Sequence, residues 1–381
     1  MKELLPAESF APGEFIKEEL EARGWTQDDL ADIIGRPVRL VNEIIAAKRG
    51  ITPETAKGLG DALGTGAQFW MNLESAYRLS LVRTSDNPIE RKSAIYSKAP
   101  MRHMIKRYWI EHSENIDVLE KRLLDFFQTR DLDVIPSLWA MARKSSPALP
   151  FTPAQNAWLY RAKHLAHAIK VVPFTETRFR RGLNRLQDLL PDPEYIQQVP
   201  RILSESGVRF IIVEPLPQSR IDGACFWLDD KSPVIALTLR YDRIDWFWHT
   251  LAHELAHIQN KDGIGVSADI PLDTDLVGEQ SKPDESRPPF ERNADKFAME
   301  FLIPQMKLDD FISRVHPLYS KQRIEGFAAG IKVHPGVVVG QLQHRNKISY
   351  AHYREKLVKV RHIITGTALT DGWGFSLPAS S

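Results

Sequence analysis

The chain has 381 residues, 43% of them hydrophobic, and its 50 Lys and Arg nearly cancel its 49 Asp and Glu. This is ordinary globular composition, long enough for two or three domains and a sizeable core. The single cysteine, Cys225, excludes a disulfide framework within the chain and fits a reducing cytosol. The opening run Met1–Phe10 lacks an apolar signal core, and no apolar run approaches membrane-span length. A cytoplasmic protein with no membrane partner is expected. Charge is unevenly spread: residues 1–82 hold 9 Lys/Arg against 13 Asp/Glu, residues 83–200 hold 19 against 13, and the remainder 22 against 23.

At the N-terminal end, Gly13–Arg23, Gln27–Ile34 and Pro37–Ala47 read as short helices broken at Gly24-Trp25 and Gly35. Thr26 suits an N-cap and Pro37 a first helical turn. Two short helices joined by a tight Gly-containing turn make a helix-turn-helix. The third helix would enter a major groove, carrying Arg36, Arg39, Asn42 and Glu43, with Lys48 and Arg49 just beyond. Arg can read guanine and Asn adenine by paired hydrogen bonds. Gln27, opening the second helix, is placed for a phosphate contact. The acidic balance of this segment argues against non-specific DNA binding.

Over residues 10–81 the chain closely resembles HigA-type antitoxins of the XRE-like helix-turn-helix class. The matching runs are Phe10–Leu20, Gly50-Ile-Thr-Pro-Glu-Thr-Ala56 and Ala67-Gln-Phe-Trp-Met-Asn-Leu-Glu-Ser-Ala-Tyr77. The resemblance implies a homodimer on a palindromic double-stranded DNA operator, repressing its own operon. A bundle kept only for dimerisation is the alternative. The family commonly has Gly near Ala47, so the recognition helix is expected to run slightly longer here.

Residues 83–200 read as mostly helical, for example Ile105–His112, Asp117–Gln128 and Thr152–Lys170, with breaks at Ser145–Pro150 and Leu190–Pro193. The basic run Arg178-Phe-Arg-Arg-Gly-Leu-Asn-Arg185 reads first as a solvated helix face, and second as a contact for nucleic acid or an acidic partner. His164 and His167 are three apart, but no third ligand is near in sequence. A surface or satisfied-core role is expected for both.

Val208–Val213, Ala224–Leu228 and Pro233–Leu239 are short β-branched or aromatic runs and read as strands. Then comes His253-Glu254-Leu255-Ala256-His257, the H-E-x-x-H pattern, in a run free of Gly and Pro. Phe247, Leu251 and Leu255 recur every fourth residue and form a buried stripe. On that helix both imidazoles share one face and can reach one metal, while Glu254 projects beside it to take a proton from water. Downstream, Glu291 and Asp295 lie four apart in another helical run. Glu291 can be the third ligand, and Asp295 can hold a ligand imidazole by its free N–H. The intervening stretch Gly263–Pro289, rich in Pro, Asp, Ser and Gly, reads as a long loop that could cover the cleft. Beyond Pro304 the chain returns to helices and ends in a Gly/Ser-rich tail expected to be mobile.

Residues 200–350 resemble the ImmA/IrrE family of metallo-endopeptidases. The resemblance rests on Thr250–His257, Glu291–Ala298 with Phe301-Leu-Ile-Pro304, and His334–His344. It implies zinc held by His253, His257 and Glu291, with Glu254 as general base. Glu is frequent in that family where this chain has Asn293. It also implies an α+β zincin-like, gluzincin-type fold whose small sheet packs on the zinc helix. An edge strand there, Gly223–Leu228 or Val234–Leu239, would hold an extended peptide; the alternative is that both are buried core strands.

The expected architecture is multidomain and mainly α with a small β-sheet: a helix-turn-helix domain over 1–82, a helical connector over 83–200 and a zinc peptidase domain with C-terminal helices over 201–381. The expected function is a DNA-binding regulator whose zinc endopeptidase cleaves a partner protein. The alternative is an antitoxin or repressor that holds a toxin or other partner on a non-cleaving peptidase fold. His334, His344, Arg345 and Tyr350 are candidates for the oxyanion donor by chemistry alone.

Overall fold

The computed structural model describes residues 10–81, 88–133, 151–264, 272–274 (backbone only) and 288–373. The chain separates into two units, Met1–Pro88 and Ile89–Ser381.

The first unit is a bundle of α1 (Pro12–Arg23), α2 (Gln27–Ile33), α3 (Val38–Ile45), α4 (Pro53–Leu63) and α5 (Ala67–Leu81). Its starts are written locally. Thr26 and Asp29 form a reciprocal capping box on α2, with Asp29 N–H donating to Thr26 Oγ1 (3.1 Å) and Thr26 N–H to Asp29 Oδ2 (2.7 Å). Thr52 caps α4 ahead of Pro53. Ile16, Leu20, Leu30, Val41, Ile44, Leu59 and Trp70 fill the core. Gly13 lets α1 touch the backbone of α3, because an added Cβ would overlap Ile45.

The expected lengthening of α3 is overturned. The helix ends at Ile45, and Ala47 turns into the left-handed region at φ 56°. Lys48 N–H donates to Glu43 O (2.9 Å) and Ala47 N–H to Ile44 O (2.9 Å), so the last carbonyls are satisfied by a turn that glycine would adopt more easily. The turn, rather than the residue's own preference, decides where the helix stops.

The second unit begins with α6 (Pro88–Lys98), α7 (Met101–Lys106), α8 (Ile116–Phe126), α9 (Pro153–Ala168), α10 (Glu176–Gln187) and α11 (Val199–Glu205). Strands β1 (Arg209–Ile212), β2 (Ile221–Trp227) and β3 (Pro233–Leu237) follow, then α12 (Ile244–Asn260) and β4 (Leu272–Thr274). Helices α13 (Pro289–Leu302), α14 (Gln305–Val315), α15 (Lys321–Gly330), α16 (Pro335–His344) and α17 (Arg361–Ile364) lead to β5 (Leu369–Thr370). The sheet order is β4-β2-β3-β1-β5, with β2 antiparallel to both neighbours and β1 parallel to β3 and β5.

Both faces of the sheet are covered, which is why its strands read as nearly continuous apolar runs. Phe210, Ile212, Cys225, Ile235 and Leu237 face a core shared with α10 to α16. Ile211, Ala224, Phe226, Val234 and Ala236 face a second core, built with Met104, Phe127, Trp158 and Tyr160 from the α6–α9 side. Trp158 Nε1 donates to Val213 O (3.0 Å), tying that layer to the end of β1. The segment read as a helical connector therefore supplies layers to both faces of the sheet.

Neither strand offered as a peptide-binding edge is one: β3 lies between β1 and β2, β2 lies between β3 and β4, and both are buried along their whole length. The basic run on α10 is a solvated face: Phe179, Leu183 and Leu186 are buried, the four arginines are exposed, and Arg185 pairs with Glu205 (2.6 Å). His164 is half-buried, packing edge-on against Phe126 at 5.0 Å, and His167 is exposed. Outside β4, most of the Gly263–Pro289 loop lies outside the described residues, as does the tail beyond Trp373. Among the described residues, no helix is long and apolar enough to cross a membrane.

Candidate metal centre

Helix α12 is buried on nearly every side, from Ile244 to Ile258, because the sheet covers one flank and α13 and α16 the others. That burial withdraws His253, Glu254 and His257 completely from solvent. Buried polar groups persist only with partners, so the surroundings of these three are informative. Helix α13 packs along α12 and brings Glu291, in its first turn, to the two imidazoles. Glu291 Oε2 lies 3.0 Å from His253 Nε2 and 3.7 Å from His257 Nε2, and the imidazole centroids are 4.8 Å apart.

One donor atom from each of the three residues lies within 4.8 Å of the other two, close enough to converge on one metal ion. Ligands about 2.0–2.2 Å from a tetrahedral centre stand roughly 3.3–3.5 Å from each other, between the two observed separations. Two imidazole nitrogens and one carboxylate oxygen also form the donor set of hydrolytic zinc sites with an open fourth position.

The other nitrogen of each imidazole meets a carboxylate. His253 Nδ1 lies 3.0 Å from Asp295 Oδ1, one turn along α13 from Glu291. His257 Nδ1 lies 2.9 Å from Asp262 Oδ2. With a metal on each Nε2, the imidazole protons would sit on Nδ1, facing these carboxylates. Asp262 was not found from the sequence. It follows the end of α12, where Lys261 takes the left-handed conformation (φ 61°) and Asp262 N–H donates to His257 O (2.9 Å). One residue thus closes the helix and orients its last imidazole. The available signal was an acidic residue immediately past a helix end, which is common for other reasons. Burial pushes the Glu291 carboxyl up, but its bonds to His253 and His257 outweigh burial and hold it well below the usual range. It therefore stays ionised, as a ligand must.

Glu254 abuts β2 at Gly223, where an added Cβ would overlap Glu254 Oε1 and sit 3.0 Å from Thr250 Cγ2. Thr250 also lines a shallow depression of about 20 Å³, together with Asp222, Thr238, Arg240, Tyr241 and Trp246. Of the four oxyanion candidates, His334 is a helix cap, its Nδ1 accepting Gly336 N–H at 3.0 Å. Arg345 pairs with Asp309 (2.5 Å) and donates to Gln305. Tyr350 lies in a turn beyond α16. The His344 ring lies 6.5 Å from that of His249, itself 6.4 Å from His253.

In the first unit, Arg36, Arg39, Asn42, Lys48 and Arg49 are exposed on or beside α3, and Gln27 is half-buried at the start of α2. Glu43 accepts from Arg39 (2.8 Å) and Arg49 (3.4 Å), holding two of the expected DNA-contacting cations on one side of the helix.

Residues 205–347 match a peptidase family model described as the IrrE N-terminal-like domain, and residues 16–70 match a helix-turn-helix model. The chain is 35% identical over 79 residues to virulence-associated protein I of Dichelobacter nodosus, covering 20% of this chain and 73% of that protein. Antitoxin HigA of Pseudomonas aeruginosa, solved with the higBA promoter, is 36% identical over 19% of this chain and 82% of its own, with a TM-score of 0.19. Another Pseudomonas aeruginosa protein, solved in complex with its operator DNA, is 32% identical over 22% of this chain and 89% of its own, with a TM-score of 0.21. The chain belongs to the helix-turn-helix family that includes virulence-associated protein I, and it joins that domain to an ImmA/IrrE-type metallopeptidase-like domain.

Proposed function

We propose that the chain is a cytoplasmic transcriptional regulator that binds a palindromic operator as a homodimer and cleaves a partner protein with a zinc-dependent endopeptidase domain. The observation carrying the enzymatic half is the convergence of His253, His257 and Glu291 beside a fully buried Glu254. His253, His257 and Glu291 would hold the ion. Bound there, zinc supplies Lewis-acid activation of water and of the peptide carbonyl. Glu254 takes the proton of the attacking water and returns it to the leaving amine. Asp295 and Asp262 keep the two imidazoles in the tautomer that leaves Nε2 free to bind.

One observation favours a restrained enzyme or a partner-holding domain. The outer edge of β2 is paired with β4, Gly223 opposite Asp273, at the level of Glu254. An extended substrate on that edge must replace β4. Co-expression of the wild type and of Glu254→Gln with each neighbouring gene product separates the readings. Fragments mapped by mass spectrometry should appear only with the wild type. No fragment from any partner, with repression intact in both proteins, leaves the partner-holding reading.

A further inference from the structure

Peptide hydrolysis at this centre calls for a second donor, besides the cation, toward the oxygen that gains charge. Two imidazoles outside the ligand set make a row of rings that leads to His253. His249 lies one turn before His253, so positions 249, 253 and 257 share a face of α12. It is half-buried, with its ring centroid 6.4 Å from that of His253. His344, the exposed last residue of α16, brings its ring to 6.5 Å from His249 at an interplanar angle of 41°. Both stand on fixed elements. Gly340 of α16 is pressed against Asp245 of α12, where an added Cβ would lie 2.6 Å from Asp245 Cβ. Arg243 donates to Asp245 through Nε (3.0 Å) and Nη2 (2.6 Å), and Nη2 also donates to Gln343 Oε1 (3.2 Å), joining the start of α12 to the end of α16. Of the other donor candidates, His334 serves as a helix cap and Arg345 is engaged with Asp309 and Gln305.

We propose that His249 and His344 form the donor edge that receives the carbonyl oxygen of the peptide being cut. The inference rests on the zinc peptidase reading. As water oxygen bonds to the carbonyl carbon, the carbon–oxygen π pair moves onto oxygen and the water proton passes to Glu254. An imidazole N–H then stabilises the new oxyanion by hydrogen bonding. When the carbon–nitrogen bond breaks, that pair returns to the carbonyl and Glu254 delivers its proton to the amine nitrogen. The pair acts only on the tetrahedral state, so its loss should lower kcat more than it changes KM.

The test uses the full zinc-loaded chain and two probes followed by calorimetry. One is a phosphinic tripeptide, a tetrahedral anion. The other is acetohydroxamate, which needs little beyond the ion. His249→Phe and His344→Ala should each retain zinc and acetohydroxamate binding but weaken the phosphinic peptide roughly tenfold or more. On a cleaved partner, His249→Phe should lower kcat by about 10²–10³-fold, the usual cost of one oxyanion donor. His249→Gln, which keeps an N–H, should recover part of the loss. Should His249→Phe perturb the metal, the exposed His344 still decides the matter. Phosphinic binding unchanged in zinc-replete variants overturns the donor edge alone. A zinc-loaded wild type that binds neither probe overturns the peptidase reading, and the donor edge with it.

Discussion

At the scale of single residues, the chemistry of the centre is concentrated in atoms that share one helical face, and the spacing of His253, Glu254 and His257 made them legible in sequence. Asp262 and His249 were not legible. The first depends on a left-handed turn at Lys261, and the second on where α16 ends in space. Asp262→Asn should leave the fold intact and weaken zinc binding about 10–100-fold, the usual effect of removing a carboxylate behind a ligand imidazole. Competition with a metal chelator measures this, and an unchanged affinity would show that Asp262 serves only the helix end. Gly223 is a sharper probe of Glu254. Gly223→Ala introduces a Cβ into the space of the Glu254 carboxylate, so cleavage should fall at least as far as for a misplaced general base, about 10²-fold, with zinc retained. Full activity in Gly223→Ala would mean that the carboxylate can retreat and still act.

At the scale of elements, long periodic segments were readable and short ones were not. Helix α12 announced itself by a stripe of Phe247, Leu251 and Leu255. Strands β4 and β5 have three and two residues, too few for any alternation to register. The rank of β2 and β3 as interior strands was also hidden, since it depends on β4 and β1, which pair along their outer edges from distant parts of the chain. The end of α3 was misjudged because a turn forced Ala47 into a conformation that costs an L-residue roughly 1–2 kcal/mol. Ala47→Gly should therefore raise the stability of the first unit by about 1 kcal/mol, read from denaturant unfolding. A loss of stability would show that Ala47 is not held there in solution. On the same helix, Arg39→Ala and Asn42→Ala should each weaken binding to the protein's own promoter by roughly 1–3 kcal/mol, while Gln27→Ala should weaken all sequences alike. A footprint without a protected palindrome would leave only the dimerisation role.

At the scale of the whole molecule, the two sheet faces are locked together by charges that sequence could not pair. Arg107, just after α7, donates to Glu214 O (2.7 Å) and Pro215 O (2.8 Å) and lies 3.7 Å from Asp371 at the end of β5. Burial pushes the Asp371 carboxyl up to about 6, against partial opposition from Trp373 N–H and Arg107. The folded state therefore holds this proton more tightly than the unfolded chain. The stability it contributes is complete below the unfolded value of 3.8 and is lost as pH rises through about 6. Asp371→Asn should remove that slope, shifting its stability relative to wild type by about 2–3 kcal/mol between pH 4 and 7. A constant difference across that range would place the proton elsewhere. His164 gives the opposite slope, its imidazole pushed down to about 4 chiefly by burial, so its contribution is lost as pH falls from 6.5 through 4. The two groups are separable because only one is altered. The central claim, that His253, His257 and Glu291 from two helices form one zinc site, is tested most directly by elemental analysis of protein purified without added metal. About one zinc per chain is expected in the wild type, with most of it lost in His253→Ala and in Glu291→Ala. Equal zinc in all three proteins would contradict it.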